Sequence, residues 1–161
     1  MITQTLTQIA IDAVWSCAAA LGFAVLFNVP RRMLPGCALV GAAGHAARFL
    51  TMQAGLPIEA GTLIGAAVVG VLSSALSRVY RTPSLIFGII GAIPMVPGVF
   101  AYRTMIGLIR VAGADAALID QQSALLAEAA INAVKTGLIL GAIAVGIAVP
   151  TLLFRRHKPV V

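Results

Sequence analysis

Few side chains in this sequence can do chemistry, and they are set within long apolar runs. His45 and Arg48 stand three residues apart among glycines and alanines, so on a helix they share a face. Glu128, Asn132 and Lys135 follow i, i+4, i+7 spacing and share another. Tyr102 and Arg103 follow a proline-glycine segment, and Asp12 sits near the start of the first apolar run. Arg48, Arg103 and Lys135 outnumber the acids, which suits holding an anion; a guanidinium is the better fork for a carboxylate. His45 or Glu128 could carry a proton, and Asp12, Glu128 and Lys135 are candidates for proton transfer or ion pairing. The structural alternative is that Arg48 pairs with Asp12 or Glu128, Lys135 reaches out to a polar boundary, and nothing touches a small molecule.

The stretch Gly91-Ala-Ile-Pro-Met-Val-Pro-Gly-Val-Phe-Ala-Tyr-Arg103 must position several of these groups. Pro94 and Pro97 have no N–H, so the carbonyls of Ile90 and Ile93 lose their helical donors. In lipid, such carbonyls are tolerated only where protein or a watery cavity satisfies them. Downstream, the amides of Gly98, Val99 and Phe100 would open a second half-helix, whose N-terminus attracts anions. Discontinuous helices of this kind recur in secondary transporters. The segment therefore nominates Pro94, Pro97, Gly98, Val99, Tyr102 and Arg103 as a pathway, with His45 and Arg48 beside it. The alternative is a proline kink that only shapes helix packing.

Composition defines the surroundings. The chain has 161 residues, 60% hydrophobic and 10% charged, with mean hydropathy +1.03. Such a sequence belongs in a bilayer. At roughly 20 residues per span it accommodates about five spans in one integral membrane domain over residues 1–161 and leaves no room for a separate soluble domain. The expected spans are residues 9–27, 34–52, 60–76, 84–110 and 124–154, all helical, with the fourth broken at Pro94, Pro97 and Gly98. Pro30 ends the first. Glycine and alanine crowd the second, and Gly61-x-x-x-Gly65 and Gly137-x-x-x-Gly141 are candidate packing faces.

The net charge of +6 does not point to nucleic acid, because the basic residues punctuate apolar runs as loop charges do. Cys17 and Cys37 read as small hydrophobes; no metal ligand set or cofactor motif is expected. Residues 1–8 carry no Lys or Arg, against the basic start of a cleaved signal peptide. No catalytic pair stands at helical spacing, so an enzyme is not expected.

Charge sets the expected orientation. With five spans, Arg31, Arg32, Arg78, Arg81, Arg155, Arg156 and Lys158 fall on one side, and Glu59, Asp115 and Asp120 on the other with Arg110 at its boundary. The positive-inside rule puts the basic side in the cytoplasm, with the N-terminus outside and the C-terminus inside. Asp12, Arg48, Arg103, Glu128 and Lys135 then all fall in the outward half of the membrane. Each is costly there, about 2.5–3.5 kcal/mol at a helix centre for Asp, Lys or Arg.

Phe27-Asn-Val-Pro30, Gly44-His45 with Arg48, the Ser77-Arg78 turn, and Ile93-Pro-Met-Val-Pro-Gly98 with Tyr102 resemble the threonine/serine exporter family, in particular its small stand-alone subunit, the YjjB type. The resemblance covers nearly the whole chain in order and spacing. It implies a bacterial inner-membrane exporter of small carboxylates, and adds Asn28 to the candidate site. Full-length members are similar to two fused five-span halves and are associated with threonine and serine export. The split type pairs the small subunit with a larger one and is associated with succinate export. The expectation is thus the small subunit of a secondary exporter of a succinate-like dicarboxylate or of threonine and serine. Its partners would be a larger family subunit, the lipid bilayer and a small carboxylate substrate, with a homo-oligomer as a further arrangement. The alternative is a membrane scaffold or assembly subunit whose partner carries the transport pathway.

Overall fold

The computed structural model describes residues 2–113 and 119–153, with side chains described for residues 7–113 and 123–153. Among these, all regular structure is helical: α1 (Ile2–Leu26), α2 (Leu34–Gln53), α3 (Ile58–Tyr80), α4 (Ser84–Ala92), α5 (Gly98–Ala112) and α6 (Ile119–Leu153). Short 3-10 turns, Arg31–Met33 and Ile93–Met95, precede α2 and extend α4. The basic residues Arg155, Arg156 and Lys158, the acid Asp115 and the side chain of Asp120 lie outside the described residues.

The helices follow the expected spans with shifted ends. α1 starts at Ile2 rather than residue 9, and α3 continues to Tyr80 rather than stopping at 76. Hydropathy marks only the part of a helix that suits lipid, whereas backbone hydrogen bonding continues into polar residues.

Three helical stretches are long and apolar enough to cross a membrane: Thr7–Leu26, Ile58–Tyr80 and Ser123–Leu153. Ser84–Met95 with Gly98–Ala112 brings the number to four if the broken pair is one span. By length and composition α2 is not among them. It carries His45, Arg48 and three glycines, Gly36, Gly41 and Gly44. Its surroundings suit that polarity, since it packs against α1, α3 and α4. By contrast, large apolar side chains such as Val14, Trp15, Val25 and Leu26 on α1 face outward. So many exposed apolar groups suit hydrocarbon rather than water.

Three helices end in the same way. Asn28, Gly55 and Arg81 all take positive φ, at 55°, 91° and 52°. Each is followed by one residue and then a proline: Pro30, Pro57 and Pro83. After each left-handed residue the next N–H reaches back five residues: Val29 to the Ala24 carbonyl at 2.9 Å, Leu56 to Thr51 at 3.2 Å, Thr82 to Ser77 at 3.1 Å. This is the Schellman closure, which satisfies the last carbonyls of a helix before proline forbids its continuation. The Phe-Asn-Val-Pro and Arg-Thr-Pro segments are therefore stop signals first.

The chain forms two compact units, one of residues 1–95 with 142–161 and the other Val96–Gly141. The core of the first joins Ala20 and Ala24 of α1, Met33, Cys37 and Val40, Ala66 and Val69 of α3, and Phe87, Ile90 and Met95. Ile143 and Ile147 of α6 close it. Its helices meet through glycine. A methyl group on Gly65 would lie 2.6 Å from the Gly44 carbonyl oxygen, and one on Gly70 would lie 2.9 Å from that of Ile147. Gly61 and Gly65 thus do form a packing face, turned toward α2. Both thiols are free: Cys37 is buried in this core, and the Cys17 thiol lies 3.6 Å from the Ala38 carbonyl.

The second unit holds α5 and residues 119–141 of α6. Gly107 meets Ala129 so closely that a methyl group on Gly107 would lie 2.8 Å from the Ala129 Cβ. No residue of α5 is buried. Gly137 and Gly141 have open space beside them, so this second glycine face is uncovered.

Candidate functional site

The segment around Pro94 breaks its helix. After Ala92 the chain tightens into a 3-10 turn ending at Met95, and α5 begins at Gly98. The Ile90 carbonyl, deprived of a donor by Pro94, accepts from the Ile93 N–H instead. The Met95 carbonyl presents the larger problem. In a continuous helix its donor would be the Val99 N–H, which lies past the break. Here it accepts a hydrogen bond from Arg48 Nη1 at 3.0 Å. A guanidinium thus supplies the donor that the interrupted backbone lacks, and it does so from a half-buried position on α2.

One turn from Arg48, His45 Nδ1 lies 2.6 Å from Asp12 Oδ2 on α1. Their side chains are only 21% and 25% exposed. Asp12 thus pairs with His45, whereas the structural alternative expects Arg48 to pair with Asp12 or Glu128. Asp12 with His45, and Arg48 with the Met95 carbonyl, make two polar contacts one helical turn apart on α2 inside the first unit, with Pro94 in the same turn as Met95. Asn28 is part of neither: at 1.5 Å per residue it lies roughly 24 Å along α1 from Asp12. Its side chain instead lines a pocket of about 350 Å3 with Phe27, Pro30, Ile86 and Ile90.

The second unit gathers the other candidates. Gly98 opens α5 with its N–H donating to the Val96 carbonyl at 2.9 Å, and Ala101 N–H donates to the Pro97 carbonyl at 3.1 Å. Val99, 62% exposed, projects from this first turn. Tyr102, Arg103 and Arg110 from α5 and Glu128 from α6 line a cavity of about 230 Å3. Asn132 is buried and donates to the Glu128 carbonyl at 3.0 Å. Lys135 Nζ sits 5.5 Å from the centre of the Phe100 ring, a cation–π contact.

Two contributors escaped the sequence reading. Arg110 was placed at a loop boundary, although it stands seven residues after Arg103 and so shares its face. Met95 was missed because counting prolines identifies only carbonyls facing a missing N–H, not a carbonyl whose donor lies beyond the break.

An all-helical chain with several membrane-length apolar helices, one of them broken and capped by an arginine, is a multi-pass membrane protein. The family model described as "Threonine/Serine exporter, ThrE" matches residues 12–153, and the chain belongs to that family, one of transporters rather than enzymes. A protein of Haemophilus influenzae described as "Uncharacterized protein" is 37% identical over 162 residues, covering 99% of this chain and 52% of that protein. The chain therefore spans about half the length of this curated relative. No solved structure matches it.

Proposed function

We propose that this chain is one half of a secondary exporter of small carboxylates in the bacterial inner membrane, completed by a larger subunit of the same family. The observation that carries the reading is the arginine-capped break, Arg48 on the Met95 carbonyl. A helix interrupted inside a membrane protein and held by a side chain rather than by its own backbone can be released and re-formed. Discontinuous helices at transporter binding sites have this character. In this reading all five apolar segments cross the bilayer, α2 being sheltered by its neighbours, with the N-terminus outside and the C-terminus inside. Arg31 and Arg32 before α2, and Arg78 and Arg81 at the end of α3, then share the cytoplasmic side. The substrate carboxylate meets Arg103 and Arg110, with Tyr102 and Glu128 beside them, and Pro97, Gly98 and Val99 line its approach. Succinate-like dicarboxylates and threonine or serine all present the required carboxylate.

The test is efflux of succinate, threonine and serine from vesicles carrying this chain alone and with the larger subunit. Export only by the pair is expected, with loss in Arg103→Ala and Pro97→Ala while the complex still assembles. Assembly failure in those variants would favour the scaffold reading, to which the uncovered Gly137 and Gly141 face lends its own support.

A further inference from the structure

We propose that Asp12 and His45 form the proton-binding site of this protein, and that the proton acts on the helix break through Arg48. The inference rests on the exporter reading for its purpose but not for its geometry. The two side chains come from helices α1 and α2, 33 residues apart in sequence, and meet at 2.6 Å. An ionised carboxylate can only accept, so the imidazole Nδ1 carries the hydrogen and Nε2 keeps a lone pair for a second proton. Arrival of that proton at Nε2 turns a carboxylate–imidazole pair into a carboxylate–imidazolium pair. The proton leaves by the same atom.

Among the described residues, the other titratable side chains on the packed elements are Cys17 on α1, Cys37 and Arg48 on α2, and Glu59, Arg78 and Tyr80 toward the two ends of α3. α1 brings Asp12, and α2 brings Arg48 one turn from His45. α3 has no titratable residue between Glu59 and Arg78, and α4 has none within Ser84–Ala92. With a neutral imidazole, Asp12 and Arg48 balance. With an imidazolium the cluster gains a positive charge, the contact that Asp12 already makes with His45 becomes a full ion pair, and Arg48 faces a like charge one helical turn away. The like charge destabilises Arg48 in its place on the Met95 carbonyl, and the added positive charge favours an incoming anion. The proton, the arginine and the break are thus links of one chain whose couplings are reciprocal.

Two measurements test this. The first needs no transport. Amide hydrogen exchange is followed for the segment around Pro94 and Pro97 in the full chain in lipid nanodiscs at pH 5.5 and pH 8, corrected for intrinsic exchange. Opening of the segment is expected to rise by about threefold at the lower pH. That rise should vanish in Asp12→Asn and in His45→Gln. A segment whose opening ignores pH, or that responds equally in the variants, overturns the proposal even if export is proven. The second uses the reconstituted pair with succinate, threonine and serine as probes. Both variants should lose about tenfold or more of uphill transport driven by a pH gradient, and keep substrate-for-substrate exchange within about twofold. The swapped pair D12H/H45D should recover part of the driven transport. Equal loss of driven transport and exchange would reduce the pair to a structural contact. Absence of transport in the parent pair would sink the exporter reading and leave the exchange experiment to decide the proton site.

Discussion

In the first unit the helices meet through glycine, backbone against backbone, around a core of Phe87, Met33, Met95 and Val40. In the second, α5 has no buried residue, and its face toward α6 holds a cavity rimmed by Arg103, Arg110 and Glu128. Polar chemistry exists in both, but under different terms. In the first unit the charged groups of the cluster are paired, Asp12 with His45 and Arg48 with the Met95 carbonyl. In the second it is open, and the charged groups border space. A tight region can transmit a small charge change, because packed helices move as units. An open, charged region can receive a solute. In the proposed reading, the first unit switches and the second binds.

The sharpest way to break this contrast is to place the same bulk on glycines of each unit. At Gly44 even a methyl group would overlap the Val69 side chain. Gly44→Leu should therefore destabilise the chain by about 3 kcal/mol or more, at or beyond the upper end of overpacking costs, and abolish folded yield in detergent gel filtration. Gly137 has nothing within 4 Å, so Gly137→Leu should leave the isolated chain folded. Loss of folded chain in both would show that the second unit is packed as tightly as the first. Retained folding with lost pairing to the larger subunit would locate the partner on that face.

The arginines sharpen it next. Arg48→Ala leaves the Met95 carbonyl without its donor, which costs about 1–3 kcal/mol for a buried unsatisfied group. Arg103 is exposed at its cavity, and Arg103→Ala should shift stability by no more than about 0.5 kcal/mol while abolishing export. Chemical denaturation in detergent, run beside efflux, separates the two. Matching losses of stability would remove the division between switch and binding surface.

Much of this was legible in the sequence, for reasons visible in particular residues. The apolar runs located the helices because lipid demands them, and Pro94 and Pro97 located the break because proline lacks a donor. The glycine face at Gly61 and Gly65 was legible from spacing, though not the helix it turns toward. The partner of Asp12 was not legible. His45 and Arg48 lie one turn apart on the same face, and only the docking of α1 on α2 decides which of them meets the carboxylate. The cap on Met95 was hidden for a related reason: a long-range hydrogen bond to a backbone carbonyl leaves no trace in residue type. Asn28 shows the converse. Its place in a distinctive motif drew it into the candidate site, yet the chain first needs it for its backbone conformation.

That last point leads to the smallest predicted effect. If Asn28 is selected for positive φ, glycine should replace it with a change of only a few tenths of a kcal/mol, whereas alanine should cost about 1 kcal/mol. At Arg81 the same geometry is held by a residue that dislikes it. Arg81→Gly relieves about 1 kcal/mol of left-handed strain but gives the unfolded chain more freedom, by about 0.4–1 kcal/mol. The net shift should therefore lie within about 0.5 kcal/mol of zero. Export in Asn28→Gly is the deciding readout. Preserved export would make the turn a stop signal whose pocket on Ile86 and Ile90 is incidental to the substrate. Lost export with unchanged stability would mean that the Asn28 amide works in that pocket, and chemistry would then reach the Asn28 end of the tight unit as well as the open one.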